Sequence, residues 1–292
     1  MNQNVKGQLA IAACAFCWST AGLFIKIITW HPMVIAGLRS LFAALSMMVL
    51  GHIIGRRRQW GKAKPPVFFG AAFSYTVTMI LFVTANKLTS SANAILLQYS
   101  APIWAALFGW VLAKEKPRTG HWIALGAVLV GLLLFFREGL AGGAFFGDCL
   151  AILAGISFGL YSVLMRMQGE GNPAKALILS HWITAIACIP FLFITRPAIT
   201  AGNMLAILFL GIVQNGVTGL LFAYGIRQVR AVQAMLIAVV EPVMNPVWVL
   251  VVTGEKPGVF TLIGGGIIIT AVILSSITVK SVGKEVDSEE TI

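Results

Sequence analysis

Ten apolar runs leave this chain little choice of architecture. They lie at approximately 9–28, 32–53, 66–85, 91–113, 120–136, 147–165, 175–195, 203–224, 231–253 and 259–279. A helix needs about 20 mostly apolar residues to cross a bilayer, and each run is near that length. In hydrocarbon every backbone polar group must be satisfied within the protein, which a helix does by itself. Only short loops remain between the runs, so there is no room for a soluble domain. Charged residues make up 11% of the chain, where a soluble domain carries about 25%. The expectation is an all-α integral membrane protein of ten transmembrane helices, here called spans 1 to 10.

A net charge of +11 does not point to nucleic acid, because the charges sort by loop and form no docking face. Lys6, Arg56, Arg57, Arg58, Lys62, Lys64, Lys114, Lys116, Arg118, Arg166, Lys175, Arg227, Arg230, Lys280 and Lys284 fall on the N-terminal side. Only Lys26, Lys87, Arg137, Arg196 and Lys256 fall on the other, and Arg39 lies inside span 2. Such a bias over short loops is the positive-inside signature. It predicts cytoplasmic N- and C-termini in a cell (inner or plasma) membrane. The first run is read as an uncleaved span, since its hydrophobicity continues well past the "IAAC" at Ile11–Cys14. Four cysteines in or beside apolar runs make no disulfide framework, and the CxxC of Cys14 and Cys17 reads as small buried residues.

The chain also repeats itself at an offset of 140 residues. Glu115, Lys116 and Pro117 pair with Glu255, Lys256 and Pro257, and Pro102 pairs with Pro242 without a gap. Gly126 pairs with Gly266, Lys26 with Arg166, and Lys87 with Arg227. Matches of rare residue types at one register are not the product of two Leu/Ala-rich halves. The domain organisation that follows is 1–140 for spans 1–5, 141–279 for spans 6–10, and a polar, disordered cytoplasmic tail over 280–292. Five spans per unit is an odd number, so the second copy enters the membrane from the opposite side. Inverted repeats with proline-interrupted helices in corresponding positions are a plan of secondary transporters, which bind substrate near the midplane. Pro102 in span 4 and Pro242 in span 9 occupy such positions.

"APIWAALFGWVLAKEKPRTGHWIALGAVLVGLLLF" and "EPVMNPVWVLVVTGEKPGVFTLIGGGIIITAVIL" each place a mid-helix proline before a Glu at the helix end and a Gly-rich span. This pattern resembles the end of an EamA domain of the drug/metabolite transporter superfamily. Trp18-Ser19 and Arg39 stand where that family tends to have Trp-Gly and Arg, and the likeness runs to about Val279. Ser19 replaces the usual glycine, and Lys116 a commoner Arg. The resemblance implies ten helices and export, or sometimes import, of small metabolites.

Helical spacing selects the residues that could carry transport. Gln233, Ile237, Glu241 and Asn245 recur every fourth residue, so the polar groups share one face, and that face should look into the bundle. Tyr75, Met79 and Phe82 line up on span 3, opposite Asn215, Gly219 and Phe222 in the repeat register. Trp18 on span 1 pairs with Phe158 on span 6, and Tyr161 lies a turn further on. Gln98 and Tyr99 precede Pro102 by a turn. The substrate-binding set is therefore expected to be Trp18, Tyr75, Met79, Gln98, Tyr99, Phe158, Tyr161, Asn215, Glu241 and Asn245, suiting an amphipathic solute. The competing reading of each aromatic is plain helix packing.

Arg39, Pro102 and Pro242 are expected in gating or structural roles. Pro242 deprives the carbonyl near residue 238 of its donor, and a free carbonyl must be buried in protein or face water. Glu241, beside that break, could take up a proton, contact a cationic group, or pair with Arg39. Proton coupling is thus open.

Other motifs carry less. "GISFG" at Gly155–Gly159 matches the G-x-S-x-G of serine hydrolases, but that motif needs a strand-to-helix turn. Mid-span it reads as small-xxx-small packing. Glu115 and Glu255 suit helix-end salt bridges. No catalytic residues, cofactor or metal site are expected, and the loops could not hold a nucleotide-driven domain. An intramembrane hydrolase would have to rely on Ser157 and the distant His181. The reading is a secondary active exporter of small amphipathic metabolites, amino acids or related compounds, working by alternating access as a monomer or dimer. An importer of cationic or quaternary ammonium solutes, held by cation–π contacts, is the alternative. The expected partners are a small-molecule substrate and the lipid bilayer, with no nucleic acid.

Overall fold

The computed structural model describes residues 3–55, 64–115, 144–168, 173–229 and 240–254 continuously, with scattered positions over 122–134, 233–238 and 256–270. Most of spans 5 and 10, Lys116, Glu255 and the tail over 280–292 lie outside the described residues. The remainder is helical, with no strand among the described residues. Span 1 is α1 (Gln3–Trp18) and α2 (Ala21–Ile27), span 2 is α3 (Pro32–Gly55), span 3 is α4 (Pro65–Leu88), and span 4 is α5 (Ser91–Gln98) and α6 (Ala101–Ala113). Span 6 is α7 (Phe145–Met167) and span 7 is α8 (Pro173–Thr195). Span 8 is α9 (Ala201–Leu208), a π-helical segment (Phe209–Val217) and α10 (Thr218–Gly225); the described end of span 9 is α11 (Val240–Thr253).

Seven of these helical stretches are long and apolar enough to cross a membrane: Gln3–Ile27, Pro32–Ile53, Pro65–Leu88, Ser91–Ala113, Phe145–Met167, Pro173–Thr195 and Ala201–Gly225. The polarity is that of a membrane protein. Val49, Phe73, Ile186, Phe193, Leu205 and Val251 point outward, while Arg39, Asp148, His181, Gln214, Asn215, Glu241 and Asn245 are buried. Lipid solvates the first group, and the second must find partners inside.

Among the described residues, several of the main packing contacts recur when each span is exchanged for the one five places on. Span 3 packs on span 6 as span 8 packs on span 1; span 3 meets span 7 as span 8 meets span 2. Spans 2 and 7, which are each other's mates, pack together. Single residues obey the same rule. A Cβ on Gly7 would lie 2.3 Å from Cβ of Gln228, and one on Gly147 would lie 3.0 Å from Cβ of Leu88. These are one contact seen twice, 140 residues apart. The paired charges behave alike: Lys26 Nζ donates to the Thr89 carbonyl at 2.9 Å, and Arg166 Nη1 to the Arg227 carbonyl at 2.8 Å. Each cation satisfies an orphan carbonyl at the C-terminal end of a neighbouring span.

Small residues bring α7 against the interruption in span 4. A Cβ on Gly155 would meet Ser100 Oγ at 2.4 Å and the Gln98 carbonyl oxygen at 2.7 Å, and one on Gly159 the Ala101 carbonyl oxygen at 2.8 Å. The "GISFG" stretch is therefore a close helix crossing. Glu115 does pair at a helix end, with its carboxylate 4.0 Å from Arg166 Nε.

Candidate functional site

Three spans are interrupted where they meet. In span 4 the chain turns at Tyr99–Ser100, and Pro102 stands in the first turn of α6, where its missing N–H costs nothing. In span 1 the turn falls at Ser19–Thr20. In span 9 the helix is interrupted at Ala238, ahead of Glu241 and Pro242.

The interruptions of spans 9 and 1 are each capped by another span. The carbonyl of Ala238, which Pro242 cannot serve, accepts from the hydroxyl of Tyr99 and from the Glu241 N–H at 2.9 Å. The Ser19 carbonyl accepts from Asn245 Nδ2 at 2.8 Å, and Trp248 Nε1 donates to Ser19 Oγ at 3.0 Å. Ser91 Oγ donates to Asn245 Oδ1 at 3.0 Å. Asn245 thus lies apart from the cavity described next and clasps spans 1, 4 and 9. Gly22 makes room for it: a Cβ there would come within 2.5 Å of Nδ2.

Beside the interruptions is a cavity of about 20 Å³, lined by Trp18, Arg39, Tyr75, Met79, Phe82, Gln98, Phe158, Gln214, Asn215 and Glu241. That is room for one or two waters. The structure brings seven of the ten expected binding residues to its wall. Tyr99 adjoins it, its hydroxyl 3.0 Å from Glu241 Oε2. Tyr161 stands behind the wall, stacked on Phe158 at 5.9 Å and tilted against Tyr75 at 4.5 Å. Trp18 closes the aromatic side, 5.8 Å from Phe158 and 5.4 Å from Phe222, with Nε1 donating to Thr218 Oγ1 at 2.9 Å. Part of the wall is thus a cluster of rings and the rest is polar.

Arg39, expected to gate or brace, lines the polar wall. It is 1% exposed, yet only Nη2 has a partner, the Met79 sulfur at 2.8 Å; Nε and Nη1 have none among the described residues. No salt bridge joins it to Glu241, although both face the cavity. Among the described residues, Gln98 Oε1 and Gln214 Oε1 are also buried without a hydrogen bond. Neither ring nitrogen of buried His181 has a hydrogen-bond partner there, so no Ser157–His181 dyad forms.

Gln214 is the residue that sequence reasoning missed. The π-helical segment of span 8 holds an extra residue per turn, which brings Gln214 and Asn215 to the cavity together. Gly211 and Gly216 let α3 press against that segment, their added Cβ atoms falling 2.4 Å from Phe42 Cβ and 2.1 Å from Ser46 Oγ. The signal present in the sequence was three consecutive non-aliphatic residues, Gln214-Asn215-Gly216, in an apolar run.

The sequence profile of the EamA-like transporter family matches this chain twice, over residues 5–137 and 145–277. The chain belongs to the EamA-like transporter family. Relatives include an uncharacterized transporter of Archaeoglobus fulgidus, 26% identical over 271 residues covering 92% of this chain and 96% of that one. Another is the uncharacterized transporter YwfM of Bacillus subtilis, 28% identical over 247 residues, 80% of this chain and 81% of that one. A solved crystal structure shares the fold, with a TM-score of 0.71 at 18% identity over 94% of this chain and 98% of the other. Family and relatives point to membrane transport by a multi-pass, non-enzymatic protein with a small-molecule substrate.

Proposed function

We propose that this EamA protein is a secondary active transporter that exports small amphipathic metabolites, amino acids or related compounds, by alternating access. The observation that carries the reading is the central cavity: aromatic over part of its wall and polar over the rest, at the junction of interrupted helices from both repeats. Interrupted helices give a carrier unpaired backbone groups and hinges at the substrate's depth. A cavity with room for one or two waters belongs to a contracted conformation, so a solute enters as the two five-helix units, 1–140 and 141–279, move apart. The charge bias of the loops puts both termini in the cytoplasm of a cell membrane.

Proton coupling through Glu241 is supported by a count of hydrogens. A phenol has one proton, and the Tyr99 oxygen lies against both the Ala238 carbonyl and Glu241 Oε2. Both contacts are hydrogen bonds when Tyr99 donates its O–H to the Ala238 carbonyl and a protonated carboxyl donates its own O–H to the Tyr99 oxygen. A carboxyl that holds a proton in one conformation and sheds it in another is what coupling requires. The test is Glu241→Gln in proteoliposomes with an imposed pH gradient: flux is expected to lose its pH dependence. Unchanged pH dependence would remove the coupling role.

A further inference from the structure

The repeat provides an internal control for Arg39. Its mate at the 140-residue offset is Leu179, on span 7, which packs against span 2 in the same frame. At that mated position the frame packs around an apolar, half-buried side chain, whereas Arg39 is fully buried. A guanidinium here is costly by comparison, since a buried cation has given up its hydration and must be paired. Among the described residues Arg39 has no salt-bridge partner. Its one hydrogen bond there is to a thioether, a weak acceptor, and Nε and Nη1 have no acceptor. The carboxyl on the same cavity belongs to Glu241, which is engaged by Tyr99 and forms no salt bridge with Arg39.

On these grounds we infer that Arg39 is the anion-binding subsite of the cavity and that the transported solute carries a carboxylate which docks on its guanidinium. Planar guanidinium N–H groups match the two oxygens of a carboxylate and form charge-assisted hydrogen bonds with it. The carboxylate displaces the Met79 sulfur, and the unpartnered acceptors Gln98 Oε1 and Gln214 Oε1 take hydrogens from a donor group of the solute. The apolar remainder of the solute lies toward Trp18 and Phe158. A solute that is only a cation is excluded, because Arg39 repels it in a site that water does not screen. The inference rests on the carrier reading for what the subsite is for, and on geometry alone for its existence.

The test uses the full-length purified chain and the smallest carboxylate, formate, which fits a contracted cavity with little rearrangement. Apparent Tm is measured in sodium formate, sodium chloride, sodium methanesulfonate and methylammonium methanesulfonate at equal ionic strength. Formate at about ten times its dissociation constant is expected to raise Tm by about 3 °C over methanesulfonate, and methylammonium to leave it unchanged. Arg39→Leu, which installs the mate's residue type, is expected to fold and to lose the formate shift; Arg39→Lys, which keeps the charge without the fork, is expected to retain part of it. No formate shift, a shift that survives in Arg39→Leu, or a shift from methylammonium instead would overturn the subsite. Chloride matching formate would make this an inorganic-anion site and overturn the carboxylate assignment. Proteoliposome flux separates this inference from the carrier reading. A formate shift with no flux of any solute sinks the carrier and leaves the subsite; flux confined to solutes without an anionic group sinks the subsite and leaves the carrier.

Discussion

Span 6 runs unbroken from Phe145 to Met167, whereas its mate, span 1, turns at Ser19–Thr20; span 3 is regular from Pro65 to Leu88, whereas its mate, span 8, contains a π-helical segment. The side chains diverge in the same places. Arg39 is mated with Leu179, Gln98 with Ala238, Tyr75 with Asn215, and Glu241 with Ala101. Against this stand the contacts the halves share, Gly7 with Gly147 and Lys26 with Arg166. What the halves share builds the frame, and much of what they do not share gathers around the cavity; Phe82, mated with Phe222, is shared and still lines it. Two copies of one fold thus separate structural requirement from function inside a single chain.

The largest expected effects come from the shared frame. Gly155→Leu drives a side chain into Ser100 and the Gln98 carbonyl, and should cost more than about 3 kcal/mol, seen as loss of monodisperse protein. Gly7→Leu and Gly147→Leu should be damaging to a similar extent. Gly126→Leu, with nothing within 4 Å of an added Cβ among the described residues, should leave stability unchanged. If Gly7 tolerated leucine while Gly147 did not, the equivalence of the two crossings would be broken.

Changes at the unshared positions should spare folding and strike flux. Glu241→Ala and Gln98→Ala each install the small residue that the other half has at that place. Loss of a polar contact to a charged group, about 1.5–3 kcal/mol, should lower flux roughly tenfold to a hundredfold while Tm moves little. Proteoliposome uptake and thermal stability, measured on the same preparation, check both halves of the statement.

The smallest effect tests the shared charges. Lys26→Met and Arg166→Met each remove a cation from an orphan carbonyl, and each should cost about 0.5–1.5 kcal/mol. Near-equal losses of Tm would sharpen the comparison; a large loss at one site alone would show that the two ends of the molecule are held differently.

The frame was legible in the sequence for a physical reason. Hydrocarbon demands long apolar helices, and a duplicated fold leaves its prolines, glycines and terminal charges at one offset. The cavity was partly legible, because a carboxyl beside a proline in an apolar run has few uses, and Trp18 and Phe158 were selected by helical spacing; Arg39 was expected to gate or brace. Gln214 was missed because helical spacing of 3.6 residues does not hold through a π-helical segment. Asn245 shared a face with Glu241, as expected, yet spacing does not reveal that the Ser19 carbonyl, 226 residues away in sequence, needs a donor. Tyr99 was read as a solute contact, whereas its hydroxyl caps the carbonyl freed by Pro242. Long-range hydrogen bonds of this kind leave no periodic trace.

Transport by the proposed mechanism depends on the cavity being reached from either face of the membrane in turn. Phe82 lines it without belonging to the polar wall, so Phe82→Cys reports on access once Cys14, Cys17, Cys149 and Cys188 are replaced. Alternating access predicts that membrane-impermeant thiol reagents added to sealed, oriented vesicles label this cysteine from both sides, and that transported solute slows both reactions. Labelling from one side only, with or without solute, would contradict it.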